Sequence, residues 1–159
     1  MATIKKNQFR TRQFGGFTPY GNTTSLLFAL ATTAAGAVVD SNSTAAVAAA
    51  DVIDLGPLPE GMRLDDATIK VITGMTATIT GSLGFVFEDG ANHPDVAQDP
   101  AYFGAGLNLA SSALLRSTSA KATVVLPKPA RLVLTTAVAA NAKVSAIEVL
   151  VQGELLGPR

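Results

Sequence analysis

The chain has 159 residues, no cysteine and equal numbers of basic and acidic residues, 12 of each. Its length suits one domain with its own core, the missing thiols exclude disulfide and thiolate chemistry, and the neutral balance argues against a uniformly basic, nucleic-acid-coating surface. Charged residues make up only 15% of the chain, against roughly 25% in typical soluble domains. This composition fits either a surface covered by neighbouring molecules or a β-protein that is simply rich in small residues.

The N-terminal segment is basic and aromatic, and its charge contrasts with that of the rest of the chain. Four bases and no acid precede Asp40, whereas eight bases and twelve acids lie from Asp40 onwards. We predict that residues 1–24 form an extended arm that grips a neighbouring protein, because spaced rings can fill apolar pockets while cations pair with acids on the partner. The predicted partner-binding residues are Phe9, Arg10, Arg12, Phe14, Phe17 and Tyr20.

Two other uses of this segment find less support. A nucleic-acid arm would rest on a few cations that release few counterions, because the later bases are scattered singly. The apolar run 25–39 argues against a membrane span, because it is shorter than the about 20 residues that cross a bilayer and contains Thr32 and Thr33. A signal peptide is disfavoured because the bases lie far upstream of this run and Asp40 separates it from the small residues 46–50. We therefore predict no membrane partner and rank nucleic acid below a protein partner.

From Ser25 onwards the chain reads as short strands separated by turns. A strand over Val52 to Leu55 meets Pro57, which argues against a central strand there, and residues 67–71 alternate between apolar and polar. Gly81 and Gly84 predict a bulge or bend before the turn at residues 88–90. Residues 95–119 are ambiguous: we expect one helical turn around residues 96–102, followed by a strand pair or a short helix.

The strands define the fold class. About eight short strands with regular turn signals, and no amphipathic helix longer than three turns, predict an all-β protein in which residues 25–159 form an antiparallel β-sandwich or jelly roll behind the arm. The predicted core residues alternate along these strands. They are Leu26, Phe28, Ile53, Leu55, Ile69, Val71, Ile79, Phe85, Phe87, Val124, Leu132, Leu134, Ile147, Val149 and Val151.

Motifs that carry catalysis or bind metal are missing from the sequence. His93 is the only histidine, and the acids of the loop 88–99 around it do not follow calcium-loop spacing, so we favour a solvated polar loop. The neighbours Asp65 and Asp66 would point to opposite faces of a strand and cannot converge on one atom. No nucleophile elbow or phosphate-binding glycine motif occurs. We predict no enzymatic activity, no metal and no cofactor.

Three segments resemble the small capsid cement (decoration) proteins of tailed bacteriophages. These are "DVIDLGPLPEGMRLDDATIKV", "TGSLGFVFEDG" and "AIEVLVQGELLG", within residues 51–90 and 120–157. In that family a strand leads into an L-G-x-L-P-x-G turn, a glycine-containing strand ends in a D-G turn, and a terminal strand ends in G-E-L-x-G. The resemblance does not extend to the Ala/Thr stretch at 29–50.

The resemblance implies a jelly-roll-like protein, made in the host bacterial cytoplasm, that sits on the outer capsid surface of the virion. It implies a homo-oligomer, with a trimer preferred over a dimer, that bridges copies of the major capsid protein and has no enzymatic activity. The alternative is an adhesive or carbohydrate-binding β-sandwich of a virion surface or fibre. That alternative needs exposed rings, and Tyr102 and Phe103 are the only aromatic pair in a predicted loop.

Overall fold

The structure, a computed structural model, describes residues 1–5 and 23–157. Within these ranges the chain forms ten β-strands and no helix. The strands are β1 Thr3–Lys5, β2 Thr23–Thr32, β3 Val52–Leu58, β4 Met62–Thr73, β5 Thr80–Phe87, β6 Asp99–Asn108, β7 Ala113–Arg116, β8 Val124–Val125, β9 Ala130–Ala137 and β10 Ser145–Leu155.

The strands build two sheets that enclose one core. The first sheet has the order β1-β3-β9-β5-β6, and the second has the order β2-β10-β4-β7, with β8 also paired to β4. Every pairing is antiparallel except that of β1 with β3, which is parallel. The predicted all-β sandwich is confirmed.

The antiparallel pairs are nested along the chain. β2 pairs with β10, β3 with β9, β4 with β7, and β5 with β6. Such nesting arises when one long antiparallel ribbon, turning back between β5 and β6, is rolled so that its strand pairs alternate between two sheets. Jelly rolls, in which eight strands form two Greek keys, have nested strand pairs of the same kind.

The core follows the alternation of the strands. In β10, Ile147, Val149 and Val151 are buried, while the residues between them reach the surface, as a half-buried strand requires. Thirteen of the fifteen predicted core residues are buried, and the other two, Leu26 and Val124, are half-buried and pack against the core.

Several core residues were not predicted from the sequence. Ile4 of β1 is buried, as are the rings of Tyr102 and Phe103 in β6. These rings stack edge to face with each other, and Tyr102 also stacks against Phe85, with ring centroids 5.0 and 5.5 Å apart. This arrangement is the preferred geometry for aromatic pairs.

The helical turn expected around residues 96–102 is wrong. Residues from Asp99 onwards form β6, which pairs with β5 and carries the two buried rings into the core. The hydrogen bonds to β5 and the burial of the rings outweigh the local turn signals, as tertiary packing often does. The ambiguity over residues 95–119 is thus resolved in favour of strands, β6 and β7.

Two proline and glycine predictions have different outcomes. The strand assigned to Val52–Leu55 continues through Pro57 to Leu58, which the sequence analysis did not predict. The proline is tolerated because β1 pairs only with residues 52–54, so β3 is an edge strand where Pro57 lies.

The bulge predicted near Gly84 is confirmed, since the register of β5 with β6 shifts on both sides of Leu83. A Cβ on Gly84 would lie 2.1 Å from the carbonyl oxygen of Asp99.

Candidate partner-binding surface

The six predicted partner-binding residues, Phe9, Arg10, Arg12, Phe14, Phe17 and Tyr20, all fall within residues 6–22. They lie outside the residues that the structure describes, so their role remains a prediction. The structure describes the chain on either side of this segment, up to Lys5 and from Thr23 onwards. Those two flanks determine where the segment is attached to the sandwich.

The N-terminal flank is part of the first sheet. β1 runs parallel to β3 with Ile4 in the core, and the backbone N–H of Ala2 donates to Asp51 Oδ1 at 2.9 Å. At the other end of β1 the N–H of Lys5 donates to Asn42 Oδ1 at 3.0 Å. Sequence reasoning missed this strand because three residues carry almost no periodic signal.

Both flanks face the same end of the sandwich. Because β1 is parallel to β3, the chain leaves Lys5 in the direction in which β3 reaches Leu58. β2 begins at that same end, where Thr23 lies opposite Glu154 near the end of β10. Residues 6–22 therefore connect two strands whose facing termini lie at one end of the fold.

This end, which we call the charged end, comprises the loops 59–61, 88–98 and 117–129 and the strand residues next to them. Its described residues include nine acids and six bases, so acids are in excess among them. The acids are Asp54, Glu60, Asp65, Asp66, Glu88, Asp89, Asp95, Asp99 and Glu154, and the bases are Lys5, Arg63, Arg116, Lys121, Lys128 and Arg131.

Surface ion pairs order many of these side chains. Arg63 binds Asp65 at 2.6 Å and Glu154 at 2.7 Å, and Lys128 binds Asp89 at 2.6 Å. Such exposed pairs add little stability, but they fix a pattern of charge that a partner can meet. The hydrogen bond from Lys128 is the main reason that the pKa of Asp89 lies below its ordinary value.

Further ion pairs join segments of this end that are distant in sequence. Lys121 pairs with Asp99, and Arg116 of β7 pairs with Asp66 of β4. Asp65 binds Arg63 instead, so the two adjacent acids have different partners. The predicted alternation of the two acids is wrong, because the register with β10 shifts here and both residues lie between buried Leu64 and Ala67. They do not form a paired-carboxylate site.

One ion pair is largely buried. Arg131 Nε donates to both carboxylate oxygens of Asp54 at 3.0 and 2.9 Å, and the guanidinium lies 3.8 Å from Glu88. Asp54 is 3% exposed, so its charge depends on this partner. Removing Arg131 would leave an uncompensated buried carboxylate, which is strongly destabilising.

A pocket of about 290 Å³ opens at the charged end. Phe85 and Tyr102 contribute rings to its lining, and the Lys121–Asp99 pair lies at it. The Tyr102 hydroxyl accepts a hydrogen bond from the N–H of Val124 at 3.2 Å, and burial raises the pKa of this phenol. An apolar floor with charges beside it suits one apolar side chain of a partner.

The residues considered for other chemistry do not converge on a site. His93 Nδ1 lies 3.7 Å from Asp95, and no group of three histidine, aspartate or glutamate side chains in residues 1–5 and 23–157 could hold a metal ion. Tyr102 and Phe103, predicted to lie in a loop, belong to β6 and are 7% and 2% exposed, so they offer no open platform for a sugar. The described part of the chain also contains no helix of the length and apolarity needed to cross a membrane.

Comparison with known proteins identifies the fold. No family model matches the chain, and no curated protein matches its sequence. Among solved structures, it is similar to a chain in the capsid of Ralstonia phage GP4, with 17% identity, 99% of both chains covered and a TM-score of 0.68. It is also similar to a chain of the cyanophage Pam1 capsid asymmetric unit, with 15% identity, 92% of this chain and 94% of that chain covered, and a TM-score of 0.57. The chain thus shares its fold, over nearly its whole length, with chains found in two phage capsids.

Proposed function

We propose that this chain is a structural virion protein without enzymatic activity, a capsid cement (decoration) protein that binds the outer surface of a phage head shell. It bridges neighbouring major capsid proteins and stabilises the shell. The observation that carries the proposal is the fold match to a chain of a phage capsid over 99% of both chains. The cement-like segments within residues 51–90 and 120–157 make the role more specific.

The charged end faces the shell in this proposal. Residues 6–22 begin and end there, and they bring the rings Phe9, Phe14, Phe17 and Tyr20 to pockets on the major capsid protein. Each ring contributes about 1.5–3 kcal/mol when it is fully buried. Arg10 and Arg12 pair with acids of the shell and guide the encounter.

The anchored flanks favour such docking. A tail with one free end loses much conformational entropy when it becomes ordered on a partner. A segment held by β1 on one side and β2 on the other begins with its ends already constrained, so less freedom remains to be lost. The hydrogen bonds that hold Ala2 and Lys5 therefore support the proposed docking by residues 6–22, although Ala2 and Lys5 are not proposed to contact the partner.

The proposal includes assembly with other copies of this chain, with a trimer preferred over a dimer. It places the protein on the outer capsid surface of virions assembled in a bacterial host. No cofactor, membrane or nucleic acid takes part.

Co-sedimentation with head shells built from the major capsid protein alone tests the proposal. The full chain should bind the shells and raise the temperature at which they break open. A variant with Phe9, Phe14, Phe17 and Tyr20 changed to alanine should bind at least about tenfold more weakly, because about 1.4 kcal/mol corresponds to a factor of ten. Leu27→Ala, at an exposed residue of β2 outside the charged end, serves as the control.

Two outcomes would count against different parts of the proposal. If the unmodified chain does not bind the shells at any salt concentration, the cement function is wrong. If the chain binds but the four-ring variant binds equally well, the role of residues 6–22 is wrong.

A further inference from the structure

The end of the sandwich opposite the charged end is almost free of charge. We call it the alanine-rich end; it comprises the loops 33–51, 74–79, 109–112 and 138–144. Its only ionisable residues are Asp40, Asp51 and Lys143. Asp51 is buried and accepts hydrogen bonds from the N–H groups of Ala2 and Ala48, both at 2.9 Å, so it presents no charge to a partner.

The loops of this end are tied together by one buried side chain. Asn141 Oδ1 accepts from the N–H of Thr76 at 3.0 Å, and its Nδ2 donates to Thr32 Oγ1 at 3.0 Å and to the carbonyl of Lys143 at 2.9 Å. The backbone N–H of Asn141 donates to the carbonyl of Val47 at 2.8 Å. A surface held in this way needs little reorganisation when it binds.

Backbone strain is concentrated at the same end. Ala50, Thr78 and Val138 adopt positive φ values of 68°, 73° and 80°. A non-glycine residue held there costs on the order of 1–3 kcal/mol, and such strain clusters at functional positions. Val138 is also 68% exposed, so one of these strained residues presents an apolar side chain to the solvent.

Exposed aliphatic side chains extend this surface onto the outer face of the second sheet. Ile72, Leu114 and Val144, which we call the aliphatic corner, are 46%, 68% and 54% exposed. They lie on adjacent strands or just beside them: Leu114 faces Lys70 across β4 and β7, and Ser112 Oγ donates to the carbonyl of Ile72 at 2.8 Å. Val144 immediately precedes β10, which adjoins β4.

We propose that the alanine-rich end and the aliphatic corner form the surface through which copies of this chain associate. The inference rests on the proposed function, because it names the surface used in the self-assembly that the cement role includes. In a ring of identical copies the contacting patches come from the same chain, and patches that carry almost no charge can meet one another without repulsion.

The charge distribution favours a second copy of this chain as the partner that binds the alanine-rich end and the aliphatic corner. Copies meeting at the charged end would have to bring many ionised side chains of both signs together, whereas copies meeting at the alanine-rich end oppose almost no charge. The nearest strand charges, Lys70 and Glu148, are cross-strand neighbours of opposite sign, so the rim of the corner is neutral. Interfaces between identical chains are more apolar than those between transient partners, which are selected largely by charge.

Sedimentation velocity on the purified full chain, without head shells, tests the inference. The chain should be an oligomer, and Leu114→Asp or Val144→Asp should raise the dissociation constant of that oligomer at least tenfold. Leu156→Asp places the same charge at an exposed leucine of the charged end and should leave the oligomer unchanged. A monomeric wild-type chain at the highest soluble concentration, or full retention of the oligomer in both corner variants, overturns the inference.

Cross-linking provides a readout that leaves the surface apolar. The chain has no cysteine, so Leu114→Cys and Val144→Cys each introduce a single thiol. A short bismaleimide should join copies through these thiols and not through Leu156→Cys. Equal cross-linking at all three positions, or none at the corner, contradicts the proposed surface.

The two proposals can fail separately. A chain that oligomerises through the aliphatic corner but does not bind head shells contradicts the cement function and leaves the self-association surface in place. A chain that binds shells as a monomer contradicts the surface and leaves the shell-binding role in place.

Discussion

Different kinds of interaction hold the loops together at the two ends of this sandwich. At the alanine-rich end, buried Asn141 and close backbone contacts join the loops, so the polar groups in these contacts are paired with each other. At the charged end, backbone hydrogen bonds such as that from the N–H of Gly61 to the carbonyl of Leu126 are joined by ion pairs in which at least one side chain is exposed, such as Lys128–Asp89. Buried hydrogen bonds are costly to lose, whereas exposed ion pairs contribute little. The same fold therefore offers one rigid surface and one that is defined by its charge pattern.

The largest contrast should come from adding one methyl group at each end. Gly36 has a φ of 83°, and a Cβ there would lie 2.0 Å from the carbonyl oxygen of Asn141, whereas Gly90 has a φ of 71° and nothing within 4 Å. Gly36→Ala should lower the free energy of unfolding by about 2–5 kcal/mol, combining left-handed strain with overpacking. Gly90→Ala should cost only about 1–2 kcal/mol from the strain.

Denaturant unfolding of both variants measures this contrast. Equal losses for Gly36→Ala and Gly90→Ala would mean that the loops of the alanine-rich end yield easily. The proposed rigidity of that surface would then be wrong.

A smaller contrast is expected between two asparagines. Asn141→Ala leaves the N–H of Thr76 without its partner and removes one of the two donors to the carbonyl of Lys143, which Thr32 Oγ1 also contacts, so it should cost about 1–3 kcal/mol. Asn92 is its counterpart at the charged end, where its Oδ1 accepts one exposed hydrogen bond from the N–H of Gln98 at 3.0 Å. Asn92→Ala should therefore change the melting temperature by much less.

Amide hydrogen exchange would locate the effect. In Asn141→Ala, protection against amide exchange should fall at the N–H groups of Thr76 and of residue 141, and the N–H groups of residues 88–98 should be unaffected. A uniform loss of protection over the whole chain would instead indicate that the network supports global stability and not the end alone.

The smallest expected effect concerns acid titration at the charged end. The Lys128 hydrogen bond lowers the pKa of Asp89, so its stabilising effect is present above the unfolded-state pKa and is lost as the pH falls through the lower folded-state pKa. Lys128→Gln should raise the pKa of Asp89 towards its ordinary value, as followed by carboxyl chemical shifts. Lys143→Gln removes the same charge at the alanine-rich end and should leave that pKa where it was.

The predicted core shows which buried residues can be identified from the alternation of apolar and polar residues along single strands. Phe85 and Ile147 lie on strands long enough to display a period of two, and their burial could be predicted without any knowledge of partner strands. Leu26 is less buried than predicted because it lies towards the end of edge strand β2. Tyr102 was misplaced because Pro100 and the preceding turn residues conceal the strand that carries it.

The candidate site was predictable to a lesser degree. The basic and aromatic character of residues 6–22 is evident in the sequence, but its attachment to the sandwich on both sides is not. That attachment depends on Ile4 entering the core and on hydrogen bonds from residues 2 and 5 to Asp51 and Asn42, which lie 37 or more positions away. A pattern of only three residues cannot predict contacts with residues so distant in the sequence.

By itself, the sequence determined the all-β class, most of the core-facing positions and the lack of catalytic motifs, because these follow from composition and from a period of two within single strands. Only the tertiary structure decided the nested pairing and the separation of charge between the two ends. The charges that meet at one end come from segments far apart in the chain, as when Lys128 reaches Asp89 and Arg131 reaches Asp54. Such neighbours are brought together by the rolling of the ribbon, which is a property of the whole fold and of no single segment.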